Sequence, residues 1–86
     1  MVPVTVYIKP WCPFCARALH LLQVKGVDPD IIDVEGDPEL FQQMMERAGG
    51  RRTVPQIFIG EHHVGGSDEL AAMEHAGALD TLLQGA

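Results

Sequence analysis

The chain has 86 residues, of which 47% are hydrophobic, and a formal net charge of −6 at pH 7. This length suits a single domain, residues 1–86, with one hydrophobic core, and the acidic balance argues against nucleic acid as a partner. No apolar run approaches the roughly 20 residues that cross a bilayer, and the chain does not begin with a basic, then apolar, leader. We therefore expect a cytoplasmic protein that binds no membrane.

The first predicted elements are a strand and a helix. Val2 to Ile8 alternates apolar residues with others and is rich in β-branched side chains, which predicts a central strand. From Pro13 to about Lys25, apolar residues recur every three or four positions, which predicts a helix that ends at Gly26. Pro13 suits the first helical position, because its missing N–H has no bonding role there.

Both cysteines lie where this strand gives way to this helix, in Trp11-Cys12-Pro13-Phe14-Cys15. A thiol at a helix start faces backbone N–H groups without helical partners and the positive end of the helix dipole, and both favour the thiolate. We therefore predict that Cys12 is the nucleophile. Cys15 lies one turn further along and is predicted to be more buried and to act second.

Three other interpretations of the cysteine pair are a structural disulfide, half of a zinc site and inert core thiols. A disulfide that closes so short a loop would restrict the unfolded chain very little. Zinc needs about four ligands, and His62 and His63 could complete the set only if their hairpin folded back over the motif. A CxxC beside a strand-helix-strand pattern is typical of a thioredoxin-like redox site, so we predict redox chemistry and no metal.

A second strand and helix follow. Asp30 to Val34 is short and apolar, which predicts a buried strand joined to the first by a right-handed parallel crossover. Asp37 and Pro38 then predict a helix start, with a capping carboxylate followed by proline in the first helical position. Gly49-Gly50 is predicted to end this helix.

The second half of the chain predicts a hairpin and a last helix. Thr53-Val54-Pro55 precedes the apolar residues 57–59, a turn at Gly60-Glu61 and a returning strand over residues 62–64. Gly65-Gly66 ends the hairpin, and Ser67 or Asp68 is predicted to cap the last helix. Gly77 is predicted to kink or divide that helix.

All six basic residues lie in the first 52 positions. If Lys9, Arg51 and Arg52 gather near the cysteines, they form a positive patch that suits a small anion. The other three are interpreted as solvated surface charges: Arg17, Lys25 and Arg47. The four histidines are interpreted as surface or core residues.

Together these elements resemble the thioredoxin fold in its minimal form, an α/β fold with a four-stranded mixed sheet and helices on both faces. The predicted order is strand, helix, strand, helix, strand, strand, helix. Three motifs, in the family's order and spacing, resemble those of the dithiol glutaredoxins: Cys12-Pro13-Phe14-Cys15, Thr53-Val54-Pro55 and Gly65-Gly66-Ser67-Asp68. Phe14 stands where tyrosine is common and Ser67 where many relatives carry a larger residue, which bears on substrate affinity and preference.

The resemblance implies a glutathione site beside Cys12. Val54 would pair its backbone with the extended tripeptide, just before a cis Pro55. The turn from Gly66 to Asp68 would offer N–H groups to the γ-glutamyl carboxylate, and the Asp68 carboxylate would accept from the ammonium group. The full set of implied glutathione-binding residues is Lys9, Phe14, Thr53, Val54, Pro55, Gly66, Ser67 and Asp68.

The resemblance also implies the activity, a glutathione-dependent thiol-disulfide oxidoreductase. Cys12 alone would reduce protein-glutathione mixed disulfides, and Cys12 with Cys15 would reduce protein disulfides. Glutathione would be the electron donor, with no permanently bound cofactor. The expected partners are glutathione and disulfide-bonded or glutathionylated proteins, and the chain is expected to be a monomer.

Two alternatives remain open on the sequence. A thioredoxin-like redoxin, reduced by a flavoprotein reductase, would share the CxxC and Pro55 but would not need Lys9 or the Gly65 to Asp68 turn. An iron–sulfur carrier would hold a [2Fe–2S] cluster between two copies through Cys12 and two glutathiones. Trp11 is interpreted either as a contact surface or as a packing residue.

Overall fold

A computed structural model describes residues 2–85. The four strands are β1 (Val4–Ile8), β2 (Asp30–Asp33), β3 (Gln56–Ile59) and β4 (His62–Gly65). The four helices are α1 (Pro13–Val24), α2 (Pro38–Arg47), α3 (Ser67–His75) and α4 (Leu79–Gln84). The strand order is β2-β1-β3-β4, with β1 parallel to β2 and antiparallel to β3. The predicted mixed α/β sheet is therefore confirmed.

Helices cover both faces of the sheet. One core joins the sheet to α1, α3 and α4, through residues such as Val6, Leu22 and Leu70. The other core joins the opposite face to α2, through Tyr7 and Met44. The side chains of Val6 and Tyr7 alternate between the two faces of β1. Both are fully buried, because β1 is central and helices cover both faces of the sheet.

The prediction of a buried second strand is wrong. β2 pairs with β1 and forms an edge of the sheet, so one side of its backbone has no neighbouring strand. Ile31 is 52% exposed, and the buried residue of this segment is Val34, which follows the strand. An apolar run of this length does not distinguish a central strand from an edge strand, because the order of strands is set by the whole sheet.

The starts of α1 and α2 confirm the sequence prediction. Pro13 and Pro38 each begin a helix, with Cys12 and Asp37 immediately before them. Asp37 Oδ1 accepts a hydrogen bond of 3.1 Å from the N–H of Leu40, as a capping residue should. These boundaries depend on neighbouring residues alone, which is why sequence reasoning located them.

The start of α3 differs from the prediction. The capping position is Gly66, and Ser67 is already the first helical residue. Gly66 has no side chain to cap the helix, and the Glu69 carboxylate instead accepts from the N–H of Gly66 at 2.8 Å. At the far end, Gly77 adopts a positive φ of 77° and separates α3 from α4, so the predicted division is confirmed.

Two basic residues interpreted as solvated charges have structural partners. Lys25 Nζ lies 2.7 Å from Glu74 Oε2 and 3.0 Å from Asp80 Oδ1, and its side chain is only 18% exposed. Lys25 thus joins the end of α1 to both C-terminal helices. The guanidinium of Arg47 donates to the hydroxyl of Tyr7 at 3.0 Å and lies 4.1 Å from the ring centroid of Phe58. The interpretation of Lys25 and Arg47 as solvated charges is therefore wrong. The sequence did not reveal their partners, because those residues are distant along the chain.

Candidate active site

The start of α1 holds the sulfur of Cys12. The N–H of Cys15 donates to Cys12 Sγ at 3.2 Å, and the same sulfur lies 3.8 Å from the carbonyl oxygen of Val54. A backbone donor directed at the sulfur stabilises negative charge on it. Cys12 is half-buried, so a second sulfur can approach it from solvent. The predicted placement of Cys12 at the helix start is therefore confirmed.

Cys15 has a different environment. Its residue is only 3% exposed, and the two cysteines are free thiols in this structure. Burial, followed by a hydrogen bond with Cys12, raises the pKa of the Cys15 thiol to about 12. Cys15 therefore keeps its proton near neutrality while it lies beside Cys12. This asymmetry suits a pair in which one sulfur attacks first and the other acts second.

A cleft beside Cys12 brings the predicted motifs together. Its volume is about 260 Å³, and its lining contains seven of the predicted glutathione residues together with two that the prediction did not assign to glutathione, Arg51 and Glu69. The seven are Phe14, Thr53, Val54, Pro55, Gly66, Ser67 and Asp68. The Val54–Pro55 peptide bond is cis, as predicted. Three segments far apart in the sequence thus form one concave surface.

Lys9 lies apart from this cleft. Its ammonium is 5.1 Å from the ring centroid of Phe41 on α2. Lys9 instead lines a second cavity of about 490 Å³ with Trp11, Cys12 and Cys15. This cavity is larger but mostly apolar, whereas the smaller cleft is lined by the start of α3 and by the Asp68 and Glu69 carboxylates. Of the three cations predicted to gather near the cysteines, Arg51 lines the cleft, Lys9 lines the second cavity and Arg52 lines neither.

Two aromatic residues beside Cys12 are exposed. Trp11 is 100% exposed and has a positive φ of 60°, which is uncommon for a bulky residue. Phe14 is 51% exposed and lines the cleft. A packing role for Trp11 is therefore wrong. Both rings are available to a molecule that approaches the sulfur.

The walls of the cleft are connected by charged pairs. Arg51 donates to Glu69 Oε1 at 2.8 Å, which joins the segment before Thr53 to the start of α3. The N–H of Gly66 and the guanidinium of Arg51 lower the pKa of the Glu69 carboxyl. On the other wall, Arg17 lies 3.8 Å from Asp68, with both side chains largely exposed, so this pair is weak.

Sequence reasoning missed Glu69, although a signal was present. An acidic residue at the third helical position commonly accepts from the N–H of the capping residue. Glu69 holds that position once Gly66 is recognised as the cap. The prediction placed the cap at Ser67 or Asp68, and from either of those positions Glu69 is not the third helical residue.

Ser67 has an unsatisfied hydroxyl in the cleft wall. The residue is buried, and among residues 2–85 its Oγ finds no hydrogen-bond partner. A buried polar group without a partner is costly and calls for an explanation.

Residues 2–85 contain no cluster of three or more His, Cys, Asp or Glu side chains that could hold a metal ion. None of the helices in this range is long and apolar enough to span a bilayer.

The family model for glutaredoxin matches residues 4–64 of the chain. The chain belongs to the glutaredoxin family. A glutaredoxin of Pseudomonas aeruginosa is 55% identical over 83 residues, which cover 96% of this chain and 98% of that protein. Glutaredoxin 3 of Escherichia coli is 44% identical over 84 residues, 98% of this chain and 100% of that one.

Solved glutaredoxin structures share the fold. The solution structure of glutaredoxin from Brucella melitensis superposes with a TM-score of 0.84 at 54% identity, and covers 96% of this chain and 89% of its own. A buckwheat glutaredoxin solved as a complex with glutathione gives a TM-score of 0.86 at 28% identity, over 96% of this chain and 77% of its own. The predicted thioredoxin fold is thus confirmed. As a glutaredoxin the chain is a thiol-disulfide oxidoreductase, and the neighbouring Cys12 and Cys15 fit its redox centre.

Proposed function

We propose that this glutaredoxin reduces protein-glutathione mixed disulfides through Cys12, with glutathione as the electron donor. The observation that carries the proposal is the cleft beside the Cys12 sulfur. It joins Phe14, the Thr53 to Pro55 segment and the Gly66 to Asp68 turn, and the Cys12 sulfur lies 3.8 Å from the Val54 carbonyl oxygen in its lining. A small site of this kind suits a tripeptide attached through its sulfur, while the rest of the protein substrate stays outside.

The polar groups of the cleft match the groups of glutathione. The backbone of Val54 lies on the segment before β3 and would pair with the extended tripeptide as a neighbouring strand does. The start of α3 would bind the γ-glutamyl carboxylate through backbone N–H groups. The exposed Asp68 carboxylate would accept from the ammonium group. The buckwheat glutaredoxin solved with glutathione supports this use of the fold.

The remaining lining residues would complete the site. Phe14 and Pro55 would form its apolar wall, and Thr53 would lie alongside the tripeptide backbone. Lys9 would act from outside the cleft, as a cation near both the Cys12 thiolate and the glycine carboxylate. We rank its attraction for the thiolate below the effect of the helix start. No resident cofactor or metal takes part in this scheme.

In the first step the Cys12 thiolate attacks the glutathione sulfur of the mixed disulfide. A Cys12–glutathione disulfide forms, the substrate's disulfide breaks, and the protein thiolate leaves and takes up a proton from solvent. A second glutathione thiolate then attacks the glutathione sulfur on Cys12. Glutathione disulfide leaves and the Cys12 thiolate is restored, so the mixed disulfide and one free glutathione become the protein thiol and glutathione disulfide.

Protein disulfides would use both cysteines. Cys12 would form a mixed disulfide with the partner protein, and Cys15 would attack Cys12 Sγ to release the reduced partner and leave a Cys12–Cys15 disulfide. For this step Cys15 must lose its proton. In the reduced protein burial and the neighbouring Cys12 hold the Cys15 pKa at about 12, and the Cys12 contribution ends once its sulfur is part of the mixed disulfide. Two glutathiones would then reduce the disulfide.

The test compares two variants with the wild-type protein in a glutathione-coupled assay on a glutathionylated protein. Cys15→Ser should retain turnover, while Cys12→Ser should reduce it to the uncatalysed background. Equal loss in both variants would contradict the division of roles.

A parallel assay with thioredoxin reductase in place of glutathione tests the redoxin alternative. Faster turnover with the reductase than with glutathione would support that alternative. A visible absorption band after anaerobic cluster reconstitution would support the iron–sulfur alternative.

A further inference from the structure

We propose that Gln56 and His63 are positioning residues that hold the Thr53 to Pro55 segment in its binding shape. The proposal rests on the proposed function, because it concerns the segment that would pair with glutathione. Gln56 is the first residue of β3, and His63 lies on β4. Neither residue lines the cleft, and their effect on it is indirect.

Gln56 is a buried amide whose nitrogen and oxygen both have hydrogen-bond partners. Its residue is 0% exposed, and Nε2 donates both to the carbonyl oxygen of Thr53 at 3.0 Å and to Thr53 Oγ1 at 3.2 Å. Its Oε1 lies 2.7 Å from His63 Nε2. A buried side-chain amide is costly unless its donors and acceptor are paired, so this arrangement has one preferred geometry.

The hydrogen bonds fix the orientation of both side chains. The carbonyl oxygen of Thr53 can only accept, so the Gln56 nitrogen must face it and the Gln56 oxygen must face His63. His63 Nε2 therefore carries a proton and donates. Protonation of the other ring nitrogen would leave this bond in place. The hydrogen-bonded set of His63, Gln56 and Thr53, called the clamp below, therefore does not depend on the charge of His63.

The clamp connects a rigid element to a segment without regular structure. The backbone of Gln56 pairs with Tyr7 in the sheet, and the His63 ring stacks on Phe58 with centroids 4.8 Å apart and planes inclined by 21°. Residues 51–55 belong to no strand or helix. Gln56 thus ties Thr53 to the sheet.

Thr53 is in turn next to Val54, the residue whose carbonyl oxygen lies 3.8 Å from the Cys12 sulfur. The clamp therefore sets where the Val54 backbone stands relative to the nucleophile. Its loss should weaken glutathione binding and leave the sulfur's own chemistry unchanged.

The test uses Gln56→Met, which keeps the side chain's length but removes all three hydrogen bonds. We expect KM for a glutathionylated substrate to rise by roughly fivefold to tenfold, as for the loss of about one buried hydrogen bond, with kcat changed less than about twofold. The rate of Cys12 alkylation by iodoacetamide should stay at the wild-type value. Gln42→Met, on the exposed face of α2, is the matched control and should leave KM unchanged.

His63→Phe separates the two halves of the clamp, since the ring can still stack on Phe58 but has no N–H. We expect KM to change in the same direction by a smaller factor, and the double variant with Gln56→Met to be no worse than Gln56→Met alone. Additive effects would show that His63 does not act through Gln56. Gln56→Glu keeps the acceptor for His63 but cannot donate to Thr53, and should raise KM at least as much as Gln56→Met.

Backbone 15N relaxation at Val54 gives a readout that needs no substrate. The order parameter of Val54 should be lower in Gln56→Met than in the wild-type protein and unchanged in Gln42→Met. If the wild-type protein turns over glutathionylated substrate and Gln56→Met keeps its KM and its Val54 order parameter, the positioning proposal is wrong and the proposed function stands. If the wild-type protein gives no glutathione-dependent turnover, the proposed function fails, and the relaxation experiment alone decides whether Gln56 holds the segment.

Discussion

Glu69→Ala removes the contact that fixes the start of α3. Glu69 Oε1 accepts from the N–H of Gly66 and from Arg51, each at 2.8 Å. A helix-capping hydrogen bond contributes about 1 kcal/mol, and a half-exposed ion pair adds about 0.2–1 kcal/mol. We therefore expect the free energy of unfolding to fall by about 1–2 kcal/mol. For a domain of this size, Tm falls by about 4–8 °C per kcal/mol.

The loss should depend on pH. The pKa of the Glu69 carboxyl in the folded protein is below its ordinary value of 4.5, chiefly because the N–H of Gly66 donates to it. The stabilisation is thus fully present above about pH 4.5 and is lost as the pH falls through the folded-state pKa. The difference in Tm between wild type and Glu69→Gln, which removes the charge but keeps an acceptor, should shrink between about pH 7 and about pH 3.

Thermal unfolding followed by circular dichroism over this pH range measures both effects. Glu39→Ala is the matched control, because Glu39 is exposed in the first turn of α2, where Asp37 already provides the cap. It should change the free energy of unfolding by less than about 0.5 kcal/mol. A Glu69→Ala protein as stable as the wild type, or a Glu69→Gln difference that stays constant with pH, would refute the capping role of this carboxylate.

Three further predictions follow from single side chains. Because the pKa of the Cys15 thiol is about 12, iodoacetamide near neutral pH should label Cys12 and leave Cys15 unlabelled in the native protein, as mass spectrometry of the peptides would show; equal labelling would contradict the assigned environments. Lys25→Met removes the two ion pairs that also raise the Lys25 pKa, so Tm should fall. The difference in Tm between Lys25→Met and the wild type should be present below pH 10.5, the ordinary pKa of lysine, and should decrease as the pH rises through the higher pKa of Lys25 in the folded protein. A difference in Tm that does not change with pH would contradict the pairing. Trp11→Gly should leave stability within about 1 kcal/mol of the wild type or raise it in denaturant titrations, since glycine accepts a positive φ and the ring is fully exposed; a larger loss would mean that the ring packs.

The parts of the fold that sequence reasoning located are those set by neighbouring residues. Pro13 and Asp37 mark helix starts through backbone restrictions and a short capping bond, and Gly77 marks a division through its positive φ. The cleft was also predictable as a set of residues, because three recognisable motifs line it. Each of these features can be read within a few positions along the chain.

The parts that were missed depend on distant partners. β2 is an edge strand because of the order of the whole sheet, and Lys25 is paired because α3 and α4 return to the end of α1. Gln56 gave only a weak signal, a polar residue at the start of an apolar strand, and its acceptor and donor partners became visible only when β4 was placed beside β3. Sequence patterns indicate which face of an element is buried, but not which polar groups meet there.

The site has two parts with different functions, one for the sulfur chemistry and one for the shape of the cleft. The sulfur chemistry depends on the CxxC and the start of α1, where the Cys15 N–H reaches Cys12 within one turn. Apart from Phe14, the lining of the cleft comes from two segments outside α1. Side-chain hydrogen bonds hold both segments: Gln56 donates to Thr53, and Glu69 accepts from Gly66 and Arg51. Substitutions in the first part should therefore change kcat and thiol reactivity, whereas substitutions at Gln56 or Glu69 should change KM while the sulfur reacts as before.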